Sequence, residues 1–279
     1  MQNYLDLLHK ILREGVDRDD RTGTGTRALF AQQLRYDLAE GFPAVTTKRL
    51  WMKGVWSELL WFLSGSTNIN DLHAIGGARI WDEWANEDGE LGPIYGKQWR
   101  KWDNYYEDTM GGMFSSGIKR DKPIDQIANL VDGLRNNPNS RYHVVSTWNV
   151  ADVPKMVLPT CHILFQCFVA NNKLSLHINQ RSCDMFLGVP FNLASYATLT
   201  HMLAQVCDLK VGELVWTGMD AHIYMNHFAQ VKEQLSRKPY PLPTLVLNPD
   251  IKEIDDFTMD DFTLENYQCH PTIEAEIAV

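Results

Sequence analysis

Apolar residues recur at helical spacing in four segments of the chain. The first runs from Tyr4 to Leu12 and predicts a short opening helix. The second, from Trp51 to Leu63, is strongly amphipathic, and Glu58 falls near the edge of its apolar stripe. The third begins after Asn192, a favoured helix cap. A fourth helix is expected from about Tyr224 to Leu235.

Two neighbouring segments carry the patterns of β-strands. Residues His162 to Val169 predict a mostly buried strand, and Leu174 to Asn179 alternate apolar and polar residues as a half-buried strand does. Asn171 and Asn172 lie between them and favour a tight hairpin turn. We therefore expect the two strands to pair as an antiparallel hairpin.

The hairpin also predicts which residues face one another at its open end. If the turn has two residues, Ala170 pairs with Lys173, and counting outward places Cys161 opposite Ser182. Arg181 then lies one residue away from that pair. The hairpin alone is thus expected to bring a cysteine beside an arginine.

The rest of the pattern sets the fold class. Further short strands are expected at Leu214 to Trp216, Thr244 to Leu247 and Phe262 to Tyr267. The stretch from Tyr105 to Lys122 has neither period and is rich in glycine, serine and charge, so we predict a surface loop or insertion. No linker-like stretch divides the sequence. We predict an α+β fold, a single domain over residues 1–279, with a large mixed β-sheet flanked by helices.

The composition supports a substantial core and limits the partners. Hydrophobic residues make up 44% of the 279 residues and aromatics 11%. The formal net charge of -9 argues against DNA or a membrane surface as a partner, although a local arginine cluster could bind a small anion. The longest apolar run, around Leu59 to Leu63, is far shorter than the roughly 20 residues that cross a bilayer.

The cysteines and histidines give no sign of disulfides or metal. The chain has an odd set of cysteines without CxxC spacing, and no signal-peptide pattern opens it. We therefore expect a reducing, cytoplasmic compartment. The spacing of cysteines and histidines differs from that of zinc sites, so no metal is expected.

Cys161 is the first candidate for chemistry. It follows Pro159 at the entrance of a predicted strand, next to His162 and across the hairpin from Arg181. A nearby cation stabilises a thiolate, which makes a cysteine nucleophilic near neutral pH. The alternative is a buried structural cysteine, because free cysteine is among the most buried residue types.

The segment from Gln180 to Asn192 concentrates hydrogen-bond donors and acceptors around Gly188 and a proline. Arg181 and Ser182 suit a phosphate, and an asparagine side chain can both donate and accept, as needed to read a uracil edge. The alternative is a loop whose polar groups satisfy their own backbone.

Arg21 and Glu58 each have a functional and an ordinary interpretation. The run Thr22 to Thr26 after Arg21 lacks both common nucleotide-binding motifs, but arginine itself offers a bidentate fork to phosphate. Arg21 could equally be a solvated surface residue. Desolvation at the margin of an apolar helix face would raise the pKa of Glu58 and suit it to proton transfer. A solvated edge carboxylate is the alternative.

Aromatic residues and a histidine complete the candidates. Trp81, Trp84 and Tyr95 could flank a flat heterocycle, or they could simply supply core area. His222 and Tyr224 could both bond a sugar hydroxyl, with a structural histidine as the competing interpretation.

Taken together, these segments resemble the thymidylate synthase family along almost the whole chain. The motifs that carry the resemblance are Asp20 to Thr26, Thr46 to Arg49, Glu58 to Leu63, Ile80 to Trp84, Gly92 to Gly96, Pro159 to His162, Gln180 to Asn192 and the closing Ile277-Ala278-Val279.

The resemblance implies a reaction. Cys161 would attack C6 of dUMP, and C5 would then take a one-carbon unit and a hydride from 5,10-methylenetetrahydrofolate to give dTMP and dihydrofolate. Glu58 and Tyr95 would manage protons around O4 and C5, and Arg181 would orient the phosphate and lower the Cys161 pKa. Asn192 would read N3 and O4 of uracil. The implied catalytic residues are Cys161, Glu58, Tyr95, Arg181, Asp184 and Asn192.

It also implies binding residues and a homodimer formed through the sheet face, in which the partner subunit contributes Arg141. The other dUMP ligands would be Arg21, Gln180, Arg181, Ser182, Cys183, Asp184, Asn192, His222 and Tyr224. Reduced folate would lie near Trp51, Trp81, Asp184, Leu187, Gly188 and Phe191, with Ala278 and Val279 closing over it as a lid.

Several positions depart from the family's usual pattern. Tyr142 stands where a second consecutive arginine is usual, Thr160 where proline is usual, and Trp51 where a folate-side histidine is common. The missing cation predicts weaker dUMP binding. The departures resemble those of divergent, phage-encoded members, for which the compartment is the host cytoplasm.

The departures leave two alternative functions. A dUMP hydroxymethylase would quench the methylene intermediate with water instead of hydride, although Trp81 and Val279 resemble features that exclude water. A non-catalytic nucleotide- or RNA-binding protein of this fold would be expected to lose Cys161.

Overall fold

A mixed six-stranded sheet dominates the structure, a computed structural model that describes residues 1–77, 79–107 and 118–277. The strands of the described chain are β1 (Val16–Arg18), β2 (Thr26–Asp37), β3 (Tyr105–Glu107), β4 (Ile118–Arg120), β5 (Val144–Ser146), β6 (His162–Ala170), β7 (Lys173–Asp184), β8 (Lys210–Tyr224), β9 (Thr244–Leu247) and β10 (Phe262–Glu265). The large sheet has the order β1-β2-β8-β7-β6-β5. Within it β7 and β8 run parallel, and the other neighbours are antiparallel.

Helices flank this sheet, which confirms the predicted α+β class. They are α1 (Gln2–Glu14), α2 (Met52–Ser64), α3 (Ile69–Ala74), α4 (Tyr95–Arg100), α5 (Gln126–Asn136), α6 (Gly188–Val206) and α7 (Phe228–Ser236). The longest, α6, packs against β7 and β8 on one side and against α2 on the other. Large side chains such as Trp61, Trp99 and Trp216 are fully buried between these layers. Each contributes on the order of 2–3 kcal/mol through the apolar surface it removes from water.

The β6–β7 hairpin confirms the predicted turn. Ala170 pairs with Lys173, and the two asparagines between them have positive φ angles of 51° and 58°. Both central residues of a type I′ turn need positive φ, which asparagine tolerates better than most residues. The turn therefore follows from the local sequence.

The register predicted for the open end of the hairpin is wrong by one residue. Leu164 pairs with Asn179, but His162 pairs with Gln180, because a β-bulge lies between them. The residue opposite Cys161 is therefore Arg181 and not Ser182. The backbone N–H of Arg181 donates to the Cys161 carbonyl at 2.8 Å.

Two other boundaries differ from the predictions. Asn192 does not cap a helix, because α6 begins four residues earlier at Gly188 and Asn192 lies in its second turn. The expected strand Leu214 to Trp216 extends over all of β8, and the expected helix from Tyr224 starts only at Phe228 after a short 3₁₀ turn.

The predicted surface loop from Tyr105 to Lys122 is partly regular. Its two ends, β3 and β4, pair as an antiparallel ribbon. Residues 108–117 lie outside the described part of the chain. The prediction failed for the ends because three-residue strands are too short to display a period of two.

Candidate functional site

A cavity of about 630 Å³ opens at the carboxyl ends of the parallel strands β7 and β8. It brings together most of the residues that the sequence singled out. Those in its wall are Arg21, Glu58, Trp81, Trp84, Tyr95, Cys161, Gln180, Arg181, Ser182, Asp184, Gly188, Asn192, His222 and Tyr224.

Cys161 is half-buried in the cavity wall. Its backbone N–H donates to the Tyr95 hydroxyl at 2.7 Å, which ties the strand entrance to α4. Burial raises the pKa of the Cys161 thiol, while the nearby Arg181 guanidinium and the Tyr95 hydroxyl act to lower it. Arg181 thus acts in the expected direction, but desolvation outweighs it and the pKa lies above the ordinary value.

Arg181 is held rigidly by backbone carbonyls of the segment before the nucleophile. Its Nε donates to the Thr160 carbonyl at 2.9 Å and its Nη2 to the Pro159 carbonyl at 2.6 Å. The guanidinium also lies over the Trp148 ring, 5.4 Å from its centroid. These contacts fix the cation beside Cys161.

Glu58 is only 7% exposed, so the alternative of a solvated edge carboxylate is wrong. Burial raises the pKa of Glu58 to about 7, although a hydrogen bond from Trp81 acts to lower it. In that bond the indole Nε1 of Trp81 donates to Oε1 of Glu58 at 2.8 Å. A carboxyl group with this pKa can both give and take a proton near neutral pH.

The neighbouring His162 is neutral and does not act as a counter-ion for Cys161. Burial lowers the pKa of His162 to about 3. Its ring stacks on Tyr95 with centroids 4.2 Å apart, and its Nδ1 lies 2.7 Å from the Tyr196 hydroxyl. His162 therefore packs against Tyr95, and Tyr196 holds His162 in place. Tyr196 was not among the predicted site residues.

The Asn192 amide is oriented by a chain of hydrogen bonds. The indole Nε1 of Trp216 donates to Gln180 Oε1 at 2.8 Å. Gln180 Nε2 donates to the Ser182 carbonyl at 3.0 Å and to Asn192 Oδ1 at 2.9 Å. An indole can only donate, so the polarity of the chain is fixed and Asn192 Nδ2 is left for other partners. Trp216 was missed because periodicity marks it only as core.

The loop that carries Arg21 is organised by Asp20. The Asp20 carboxylate accepts hydrogen bonds from the Thr22 hydroxyl at 2.7 Å and the Gly25 backbone N–H at 2.9 Å. Gly25 has a φ of +76°, which a turn of this kind requires of glycine. Within the described chain no hydrogen bond or ion pair engages the Arg21 side chain, so its guanidinium remains available to an anion.

Some predicted site residues lie outside the cavity wall. Trp51 is 47% exposed and Arg141 is exposed on the segment before β5. Cys183 is fully buried. Leu187 and Phe191 are half-buried near the start of α6. Ala278 and Val279 lie outside the described residues.

Arg18 and Asp220 also line the cavity without having been predicted as site residues, and Ile277 of the closing motif lines it too. Ile277 belongs to the C-terminal segment, which is anchored where His227 Nε2 lies 2.8 Å from the Glu276 carbonyl oxygen. The described end of this segment therefore reaches the cavity. Sequence patterns did not single out Arg18 or Asp220 as site residues, because each reaches the site only through tertiary contacts.

The described residues contain neither a metal-binding cluster nor a membrane-spanning helix. No group of three or more histidine, cysteine or acidic side chains there could hold a metal ion. No helix in that part of the chain is long and apolar enough to cross a membrane.

A model of a known protein family covers almost the whole chain. The family model described as thymidylate synthase matches residues 2–279. That family consists of folate-dependent methyltransferases that act in dTMP biosynthesis. Because the match spans essentially the whole chain, this protein belongs to the thymidylate synthase family.

Proposed function

We propose that the protein is a thymidylate synthase that converts dUMP to dTMP. The observation that carries this proposal is the grouping of a nucleophile, a cation and a proton-transfer group in one cavity. Cys161, Arg181 and Glu58 all line it. This set suits covalent attack on an electron-poor ring followed by proton transfer.

The substrate is bound by three kinds of contact. Arg21, Arg181 and Ser182 hold the phosphate, with Arg141 of the partner subunit as a further ligand. Asn192 reads the uracil edge, and its fixed Oδ1–Nδ2 polarity supports this role because uracil offers a donor at N3 and an acceptor at O4. His222 and Tyr224 form hydrogen bonds with the sugar hydroxyl of dUMP. Support comes from Tyr224, whose ring lies 5.2 Å from that of His222.

Cys161 attacks C6 as a thiolate, and the electron pair of the C5–C6 bond moves toward O4. Arg181 stabilises the thiolate, and Glu58 supplies a proton in the region of O4 and later accepts one from C5. The Glu58 pKa of about 7 supports both roles. Tyr95 holds the backbone of Cys161 and provides a hydroxyl at the reacting carbons.

The residues of the cavity fit a reduced folate above the nucleotide. Trp81, Trp84 and Ile80 form an apolar and aromatic wall, which suits a flat heterocycle. The bound 5,10-methylenetetrahydrofolate supplies the one-carbon unit and the hydride. Trp81 and the C-terminal segment exclude water from the reacting carbons, with Ala278 and Val279 proposed to complete the lid.

The catalytic unit that we propose is a homodimer of single-domain subunits, each spanning residues 1–279, formed through the outer sheet face. Apolar side chains on that side of the sheet support it: Phe168 is 66% exposed and Val144 is 43% exposed. The five free cysteines support the proposal of a reducing, cytoplasmic compartment.

The second candidate is dUMP hydroxymethylation, in which water adds to the exocyclic methylene carbon. It needs water at the place that Trp81 covers, and Trp81 is only 8% exposed. A nucleic-acid-binding role is disfavoured by the net charge of -9 and by the complete catalytic set.

Product analysis distinguishes these functions. The purified protein is incubated with dUMP and 5,10-methylenetetrahydrofolate, the nucleotides are identified by mass spectrometry, and dihydrofolate is followed by absorbance. The proposal predicts dTMP with one equivalent of dihydrofolate. Hydroxymethyl-dUMP with tetrahydrofolate would identify a hydroxymethylase, and unchanged dUMP would support a non-catalytic role.

A further inference from the structure

Three side chains in the cavity wall are linked in series. Arg18 Nη1 donates to Asp220 Oδ2 at 2.7 Å. The other carboxylate oxygen, Asp220 Oδ1, lies 3.2 Å from His222 Nδ1, and the Asp220 backbone carbonyl lies 3.1 Å from the same nitrogen. Asp220 and His222 are two residues apart on β8 and therefore share one face of the strand. Neither Arg18 nor Asp220 has a role in the function proposed above.

These contacts determine which ring nitrogen of His222 carries the proton. A carbonyl oxygen can only accept a hydrogen bond, and so can an ionised carboxylate. The hydrogen bond with His222 lowers the pKa of Asp220, and Arg18 lowers it further, so the carboxylate stays ionised. Both partners of Nδ1 are thus acceptors, and Nδ1 must be the protonated nitrogen. In the neutral ring Nε2 is then a bare acceptor.

Arg18 holds the Asp220 carboxylate in this position from β1, which is separated from β8 by one strand, β2. β1 pairs with β2, and β2 pairs with β8, so Arg18 reaches Asp220 across the sheet edge. The Arg18 side chain is 57% exposed, so its ion pair is a modest contributor. His222, by contrast, is 6% exposed and has little freedom to exchange its partners for water.

We propose that Asp220, held by Arg18, is a positioning residue that fixes His222 in the tautomer whose Nε2 accepts a hydrogen bond from the nucleotide. This inference rests on the proposed function, because it takes the bound nucleotide to be dUMP. The only sugar hydroxyl of dUMP is the 3′-hydroxyl. Asp220 therefore sets the requirement for a 3′-hydroxyl that can donate, and acts on specificity through His222.

A comparison of two nucleotides tests this role. Dissociation constants are measured for dUMP and for 2′,3′-dideoxyuridine monophosphate with the unmodified protein and with Asp220→Asn. The asparagine amide can donate to Nδ1 and so favours the opposite tautomer. We expect Asp220→Asn to weaken dUMP binding roughly fivefold, as loss of one hydrogen bond does, and to leave the dideoxynucleotide within about twofold. Equal losses for both nucleotides would overturn the inference.

A matched control lies in the neighbouring ion pair. Asp17→Asn removes the carboxylate that pairs with Arg27 at 2.6 Å, and neither residue lines the cavity. This variant is expected to bind both nucleotides like the unmodified protein. A loss for dUMP in this variant as large as that in Asp220→Asn would also overturn the role of Asp220.

The tautomer of His222 can be measured in the absence of a nucleotide. In ¹⁵N–¹H correlation spectra of histidine-labelled protein, the neutral His222 ring is expected to carry its proton on Nδ1. In Asp220→Asn the proton is expected on Nε2 instead. A protonated Nε2 in the unmodified neutral ring would overturn the inference directly. If the spectra agree but the unmodified protein does not bind dUMP, the proposed function fails while the tautomer assignment stands, and the specificity role falls with the function.

Discussion

The indole N–H of Trp81 donates to Oε1 of Glu58 at 2.8 Å, beside the rings of Trp84 and Tyr95 in the cavity wall. The bond occupies one carboxyl oxygen and leaves the other for the reaction. It also acts to lower a pKa that burial raises to about 7. Burial is the larger influence on the pH at which Glu58 changes its protonation state, and the hydrogen bond from Trp81 opposes it.

The first prediction concerns the pH dependence of turnover. Below about pH 7 Glu58 is protonated and can donate a proton near O4, and above that pH it is ionised and cannot. We expect kcat to fall as pH rises through about 7. Glu58→Gln should lower kcat by about 100-fold or more and remove this limb from the profile. If kcat of Glu58→Gln still falls as pH rises through about 7, another titrating group causes that decrease.

Trp81→Phe keeps an aromatic ring but removes the hydrogen bond to Glu58. Because that bond lowers the Glu58 pKa, its loss raises the pKa, and the alkaline limb of kcat should move to higher pH. The smaller ring should also admit water and increase the fraction of hydroxymethyl product, measured by mass spectrometry. An unmoved limb would mean that Trp81 does not tune Glu58.

The relay from Trp216 through Gln180 to Asn192 predicts an effect on base selectivity. Gln180→Met keeps the side-chain length and removes all three hydrogen bonds of the amide, so the Asn192 amide loses its fixed orientation. We expect the ratio of dCMP to dUMP dissociation constants to fall by roughly tenfold, about the value of one well-placed hydrogen bond. Equal weakening of both nucleotides would indicate a merely structural role for Gln180.

Tyr142 offers a gain-of-function test. It is 92% exposed, next to Arg141, where the family resemblance leads us to expect a second phosphate-binding arginine. Tyr142→Arg should tighten dUMP binding by roughly fivefold, the effect of one partly exposed charged contact, and the gain should shrink at high salt. Unchanged affinity would show that another cation already serves the phosphate.

The sequence predicted the larger elements of this fold well because their patterns are long and their causes local. The β6–β7 turn follows from two consecutive asparagines, and α2 from a strong apolar stripe. The predicted hairpin register was wrong near Cys161 because a β-bulge inserts one extra residue into β6. No local sequence pattern marks that bulge. The predicted start of α6 was wrong because apolar residues flank Asn192 on both sides. The pattern therefore did not show whether Asn192 caps the helix or lies inside it.

Local sequence patterns singled out several residues that the cavity brings together, among them Cys161, Arg181 and Glu58, but other parts of the site depend on distant contacts. Periodicity placed Glu58 at the margin of a stripe, and its burial depends on Trp81 packing from a distant segment. Asp220, Arg18 and Trp216 are ordinary residues in sequence, and their contacts form only across the sheet or its edge. Tertiary geometry, and not composition, gives them a place in the site.

The central claim is that Cys161 is the nucleophile, and replacing it tests the claim most directly. Cys161→Ser is compared with Cys269→Ser, a control outside the cavity wall, by measuring dTMP formation and dUMP binding. We predict that Cys161→Ser loses dTMP formation by about 1,000-fold or more while still binding dUMP, and that the control stays active. Wild-type rates of dTMP formation by Cys161→Ser would contradict the account.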